Sequence, residues 1–124
     1  MNLGLAAKTS MLAGLSAAVE GGFLRLYEGP IPVAGGATTL LIASGVVAGM
    51  PPPSDGVLML PPGFAALRFN GATVAWARLF AATGDRLMDL SVGVTGSGTD
   101  IELETLVGYT GGIIKLTSSS ITIA

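Results

Sequence analysis

Neither cysteine nor histidine occurs among the 124 residues. Without a thiol there is no disulfide, no CxxC redox pair and no thiolate nucleophile. Without either residue there is no Cys/His zinc site and no imidazole base. The missing thiols leave the redox compartment open. Charge is also scarce: six Lys and Arg against eight Asp and Glu, 11% of the chain where soluble domains carry about 25%. A net charge of −2 supplies no cationic field for phosphates. Aromatic side chains number seven, one of them Trp. Nucleic acid is therefore not an expected partner.

Long apolar runs are missing too. No residue between Glu28 and Asp55 is charged, but Pro30, Pro32, Gly35-Gly36 and Pro51 to Pro53 break the run. Its longest clean stretch, Ala37 to Met50, is 14 residues, short of the ~20 a spanning helix needs. No membrane association is expected. Lys8 followed by Met11 to Val19 imitates an export signal loosely, with a weak basic start, so a cleaved signal is not expected either.

What is abundant is small and apolar. Hydrophobic residues are 50% of the chain, Gly and Ala number 19 and 17, and mean hydropathy is +0.70. The length fits one domain, 1–124. A domain of this size buries only about two-thirds of the surface its unfolded chain exposes, and fourteen charges cannot cover the rest. Apolar surface should remain outside the core of one subunit and be covered by others. The expectation is a homo-oligomer, a dimer or trimer.

Patterning divides the domain. Residues 2–20 read as an amphipathic helix with Leu5, Leu12, Leu15 and Val19 on one face and Met11 and Ala18 at its edge. Asn2 is the candidate N-cap, and Gly21-Gly22 the stop. From residue 23 to 124 the texture is short β-like runs separated by turn residues. These are Phe23 to Glu28, Thr38 to Ser44, Val57 to Leu60, Phe64 to Phe69 before a hairpin-like Asn70-Gly71, Ala72 to Phe80, Arg86 to Val94, Asp100 to Val107 and Ile113 to Ile123. Six to eight strands with turns throughout predict a mainly β protein, an antiparallel β-sandwich or jelly roll carrying an N-terminal amphipathic α-helix. The Pro-rich insert 50–62 reads as an edge strand or rim loop.

The candidate chemistry is thin. Asp100, Glu102 and Glu104 share one strand face about 6.8 Å apart, fit for part of a calcium loop but more simply a solvated outer face. Nothing sets one carboxylate against another across a cleft as glycoside hydrolysis requires. Gly96-Ser97-Gly98 is no nucleophile elbow, and no glycine run is followed by a phosphate-binding Lys. Trp76 reads as core, with Arg78 at the rim or paired with an acid; Tyr27 and Arg25 pose the same choice. No catalytic residue, cofactor or metal ligand is expected, and the chain is not read as an enzyme. A hydrolase or carbohydrate-binding module built on the three acids is the rival from another class. The interface candidates are Leu5, Met11, Leu12, Leu15 and Val19 on the helix, and Pro52, Val57, Leu58, Met59 and Leu60 in the insert, where five prolines hold apolar residues extended.

The order of short motifs resembles a family of small structural proteins encoded among the head and tail genes of tailed bacteriophages. The motifs are an Ala-rich helix, then Gly21-Gly22-Phe23-Leu24-Arg25-Leu26-Tyr27-Glu28-Gly29-Pro30, Thr39-Leu40-Leu41, Ala75-Trp76-Ala77-Arg78-Leu79, Gly84-Asp85, Asp89-Leu90-Ser91-Val92-Gly93, Asp100-Ile101-Glu102-Leu103 and Ile121-Thr122-Ile123. The likeness spans most of the chain, is weakest from Val46 to Asn70, and departs from the family at the Pro-rich insert. It implies no catalytic residues. It implies a virion component made in the host cytoplasm, a capsid decoration (cement) protein on the shell exterior with the major capsid protein and its own copies as partners. A place in the tail or adhesion apparatus, binding a host receptor or glycan, is the alternative.

Overall fold

A computed structural model describes residues 4–61 and 64–122. The chain is mainly β with one N-terminal helix. Helix α1 (Leu5–Val19) precedes β1 (Phe23–Tyr27), a short 3-10 turn (Val33–Gly35), β2 (Leu41–Val46), β3 (Val57–Leu58), β4 (Ala65–Arg68), β5 (Trp76–Phe80), β6 (Arg86–Val94), β7 (Ile101–Leu103), β8 (Ile113–Ser119) and β9 (Ile121–Thr122). Seven strands close into one barrel in the order β1-β2-β4-β8-β7-β6-β5, with β1 pairing β5 to complete the ring. β3 and β9 form a separate two-stranded sheet. The expected arrangement of two facing sheets gives way to this ring because β1 has a hydrogen-bonded neighbour on each side, leaving no edge to open. The pairing is antiparallel except between β6 and β7, which run parallel across the loop 95–100.

Alternation sets the interior. Leu24 and Leu26 of β1, Ala66 of β4, Ala77 and Leu79 of β5, Leu90 and Val92 of β6, Ile101 and Leu103 of β7 and Ile114 of β8 are buried in a single apolar cluster. Of the alternate residues on one face of β6, Leu90 and Val92 are buried, with Met88 half-buried against them, while Val94 is exposed past the last core position. Leu12 and Val19 of α1, Val47, Leu58, Leu60 and Ile121 join the same cluster, so the helix and the β3–β9 pair extend the barrel's core. Gly84-Asp85 makes the β5–β6 hairpin, with the Gly84 N–H donating to the Ala81 carbonyl and the Ala81 N–H to the Asp85 carbonyl. Asn70-Gly71 does not make a hairpin: β4 pairs with β2 and β8, and β5 lies elsewhere in the ring.

The helix starts at Gly4, which gives no side-chain cap; Asn2 lies outside the described residues. Its stop is the expected one: Gly21 takes φ +78° and the Gly22 N–H closes on the Val19 carbonyl. A Cβ at Gly22 would overlap the Phe80 carbonyl, so only glycine lets the chain pass from helix into barrel here. The Glu20 carboxylate accepts from the Gly49 and Met50 N–H groups at 2.9–3.1 Å and ties the helix end to the segment after β2. The amphipathic reading holds only for the buried stripe of Leu12, Leu15 and Val19. The opposite face is Ala6, Ala7, Ala13, Gly14, Ala17 and Ala18 with Ser10, exposed and without charge. A helix apolar on all sides is normally covered on all sides.

Candidate functional site

One wall of the barrel is sealed by the chain itself. The outward residues of β1 and β5 stand opposite each other as Phe23–Phe80, Arg25–Arg78 and Tyr27–Trp76. The Tyr27 and Trp76 rings stack with centroids 4.5 Å apart, and those of Phe23 and Phe80 at 5.1 Å. Two arginines face each other across the strands, an arrangement that repels unless compensated. Arg78 is compensated by Asp89 of β6, with Nε 2.6 Å and Nη2 3.1 Å from the carboxylate oxygens. Arg25 instead lies over the Phe23 and Phe80 rings, 4.7 and 5.2 Å from their centroids, and its buried Nε has no hydrogen-bond acceptor among the described residues.

The loop 28–40 closes over this ladder. The Trp76 indole N–H donates to the Glu28 carbonyl and to Thr39 Oγ1 at 3.1 and 3.0 Å, and Arg78 Nη2 donates to the Gly36 carbonyl at 2.9 Å. Trp76 is thus buried, but on the outside of the barrel and under a loop rather than in its core, while Arg78 pairs with an acid, one of the two expected alternatives. Burial alone would raise the Asp89 carboxyl; hydrogen bonds and charge from Arg78 and Arg86 outweigh it and hold the group below its ordinary range.

The three acids of the 100–104 run have separate fates. The Asp100 carboxylate accepts from the Ser91 N–H at 3.0 Å while the Asp100 N–H donates back to Ser91 Oγ at 2.9 Å. Glu102 accepts from the Gly96 and Gly98 N–H groups at 3.0 and 2.9 Å, which holds its carboxyl below the usual value. Both therefore clamp the tight connection between the parallel strands β6 and β7. Glu104 is exposed beyond β7. Among the described residues no group of three acids is placed to hold a metal ion.

These shifts set the pH response. Glu20, Asp89 and Glu102 all ionise more readily folded than unfolded, starting from ordinary values of 3.8 for Asp and 4.5 for Glu. Their stabilisation is complete above that range and is lost as pH falls through the lowered folded values. With no histidine, no side chain with an ordinary pKa between pH 5 and 8 adds to it. The melting temperature should be flat from about pH 5.5 to 8 and fall below about pH 4. A steady change between pH 6 and 8 would contradict this assignment.

Of the interface candidates, Leu12, Val19, Leu58 and Leu60 are buried in the subunit's own core, where no partner can reach them. They were legible as apolar, but the insert packs on the helix: the Gly56 N–H donates to Thr9 Oγ1, and Ser16 Oγ to the Pro51 carbonyl. Leu15 and Val57 are half-buried. Leu5, Met11, Pro52 and Met59 are exposed, the last two beside a groove of about 550 Å³ between the insert and β8.

Sequence reading missed the other barrel wall. On β2, β4 and β8, register aligns Ser44 with Leu67 and Leu67 with Ile113, and Ala65 with Lys115. Leu67, Ile113 and the flanking Val46 and Phe69 are exposed, as is Tyr109, whose ring folds against Gly112. Among the described residues no loop covers this wall as 28–40 covers that of β1 and β5.

Family models, curated proteins and solved structures give no match to this chain. No described helix is long and apolar enough to cross a membrane. The reading of function therefore rests on the surface.

Proposed function

We propose that this chain is a structural subunit that works by covering apolar surface in an assembly, as a decoration protein on the capsid exterior of a tailed bacteriophage. One observation carries the reading. Among the described residues thirteen large apolar side chains are exposed, yet only six charged ones are: Glu20, Asp55, Asp85, Arg86, Glu104 and Lys115. The other eight of the fourteen charged side chains are buried or half-buried. A solitary subunit would present more grease than charge to water, and assembly removes that cost.

The polar groups support the same reading. Asp89, Asp100 and Glu102 are bonded to the chain's own arginines and backbone, where they hold loops. Glu102 is pushed away from the raised pKa that a general acid needs. The likeness to head-and-tail structural proteins supplies the virion setting. Contacts across capsid seams add stabilisation roughly in proportion to apolar area, ~25 cal/mol per Å² before the costs of association.

Electron microscopy of particles made with and without the protein tests the proposal. Many copies spread over the shell, and shells that rupture at lower temperature in their absence, are expected. A few copies at the tail would assign it to the tail apparatus instead. Particles that never contain it would overturn the proposal.

A further inference from the structure

We infer that the outward wall of β2, β4 and β8 is the surface through which two copies of this chain pair. The inference rests on reading the chain as a self-assembling structural subunit and names the contact. Val46, Leu67, Phe69, Tyr109 and Ile113 stand out from this wall, from 48% exposed at Leu67 to 76% at Tyr109. At about 150–250 Å² for a large side chain, these five present on the order of 500–600 Å² of apolar surface. With Ser44, Ala65 and Lys115 around them the patch approaches the roughly 800 Å² per partner of a standard interface. A patch this size is at the upper end of what monomers expose.

Three features point to a second copy as the occupant. The ring is closed, so this wall has no free strand edge for an extended peptide to join. Contact must be made face to face by side chains, as between like surfaces. The wall is also both knob and hole: exposed Leu67 stands in register with Ile113, which with Tyr109, Glu104 and Lys115 lines part of a depression of about 310 Å³. Finally, Glu104 and Lys115 form one acid and one cation at the same border, with no ion pair between them among the described residues. Under a two-fold axis such a border is self-complementary, each copy's cation meeting the other's acid.

The test is sedimentation of the purified full chain and of Leu67→Glu/Ile113→Glu, both sites being exposed and outside the core. The wild type should sediment as a dimer or larger at micromolar concentration, and the variant as a 12.3 kDa monomer with the wild-type circular dichroism spectrum, an affinity loss of about 100-fold or more. Should the double variant fail to fold, Ile113→Thr keeps the β preference and should still weaken pairing about tenfold. A wall variant that retains wild-type mass overturns the inference. If Leu5→Glu/Met11→Glu then falls to monomer, the helix face is the contact and the structural-subunit reading stands. A wild type that is monomeric throughout also overturns the pairing, and particle microscopy then decides the broader reading separately.

Discussion

Arg78→Ala should cost about 3–5 kcal/mol of folding stability, the range found when one partner of a buried ion pair is removed. For a domain of this size that is a fall in melting temperature on the order of 10–20 °C. The substitution leaves the Asp89 carboxylate, 9% exposed, with only Arg86 at 3.5 Å. It also leaves the Gly36 carbonyl without its donor and so loosens the loop 28–40, which Trp76 still ties at Glu28 and Thr39. The effect is one of stranding a charge rather than of losing an attraction. Replacing both partners, as Arg78→Met with Asp89→Leu, should therefore recover most of the loss. Urea denaturation of the three proteins decides the matter. A single variant within about 1 kcal/mol of wild type would mean that the pair is not closed off from water.

Trp76→Ala should be as damaging, about 3–5 kcal/mol, through loss of the largest fully buried side chain outside the barrel core. The cavity would lie between Tyr27 and the loop that carries Thr39. Trp76→Phe separates two contributions: it keeps a ring against Tyr27 but gives the Glu28 carbonyl and Thr39 Oγ1 no donor. A loss of about 1–2 kcal/mol is expected from the smaller ring and the missing hydrogen bond. Circular dichroism must report both transitions, because the only indole fluorophore is the residue being changed. Equal losses for Ala and Phe would show that the hydrogen bond, not the packing, holds the loop.

Much of this was legible in the chain before its structure. Alternation placed Ile101 and Leu103 inward, and both are fully buried. The Gly21-Gly22 stop falls where the sequence put it. Strand periodicity, however, says which residues share a face and not which strand lies next to which, so sandwich and barrel look alike until β1 is found paired on both sides. The missed wall has a different cause. In β4 the greasier face, Leu67 with Phe69, points out, and Ala66 with Arg68 points in. Hydropathy assigns the reverse. Arg68 is tolerated inside because it reaches the Asn70, Ala72 and Leu106 carbonyls at 3.2–3.4 Å, contacts between residues up to 38 positions apart. Burial lowers its pKa, with no carboxylate among the described residues to offset the cost. The one sequence hint was that an Arg sat in register with the small Ala66 between two large apolar neighbours.

The loop 28–40 was equally hidden. Its composition, with Gly29, Pro30, Pro32 and the Gly35-Gly36 pair, reads as a simple connection. Its function as a lid comes from two backbone carbonyls and one hydroxyl, groups that sequence does not rank. The same blindness explains why half-buried Arg25 and buried Arg78, both on charged side chains, ended up away from solvent while Ile113 did not.

Sedimentation equilibrium of the unmodified full chain, from about 1 to 100 μM, tests the central claim most directly. The account predicts a mass at least twice 12.3 kDa within that range, rising with concentration. A single species of 12.3 kDa at every concentration, remaining in solution with its apolar wall bare, would contradict it.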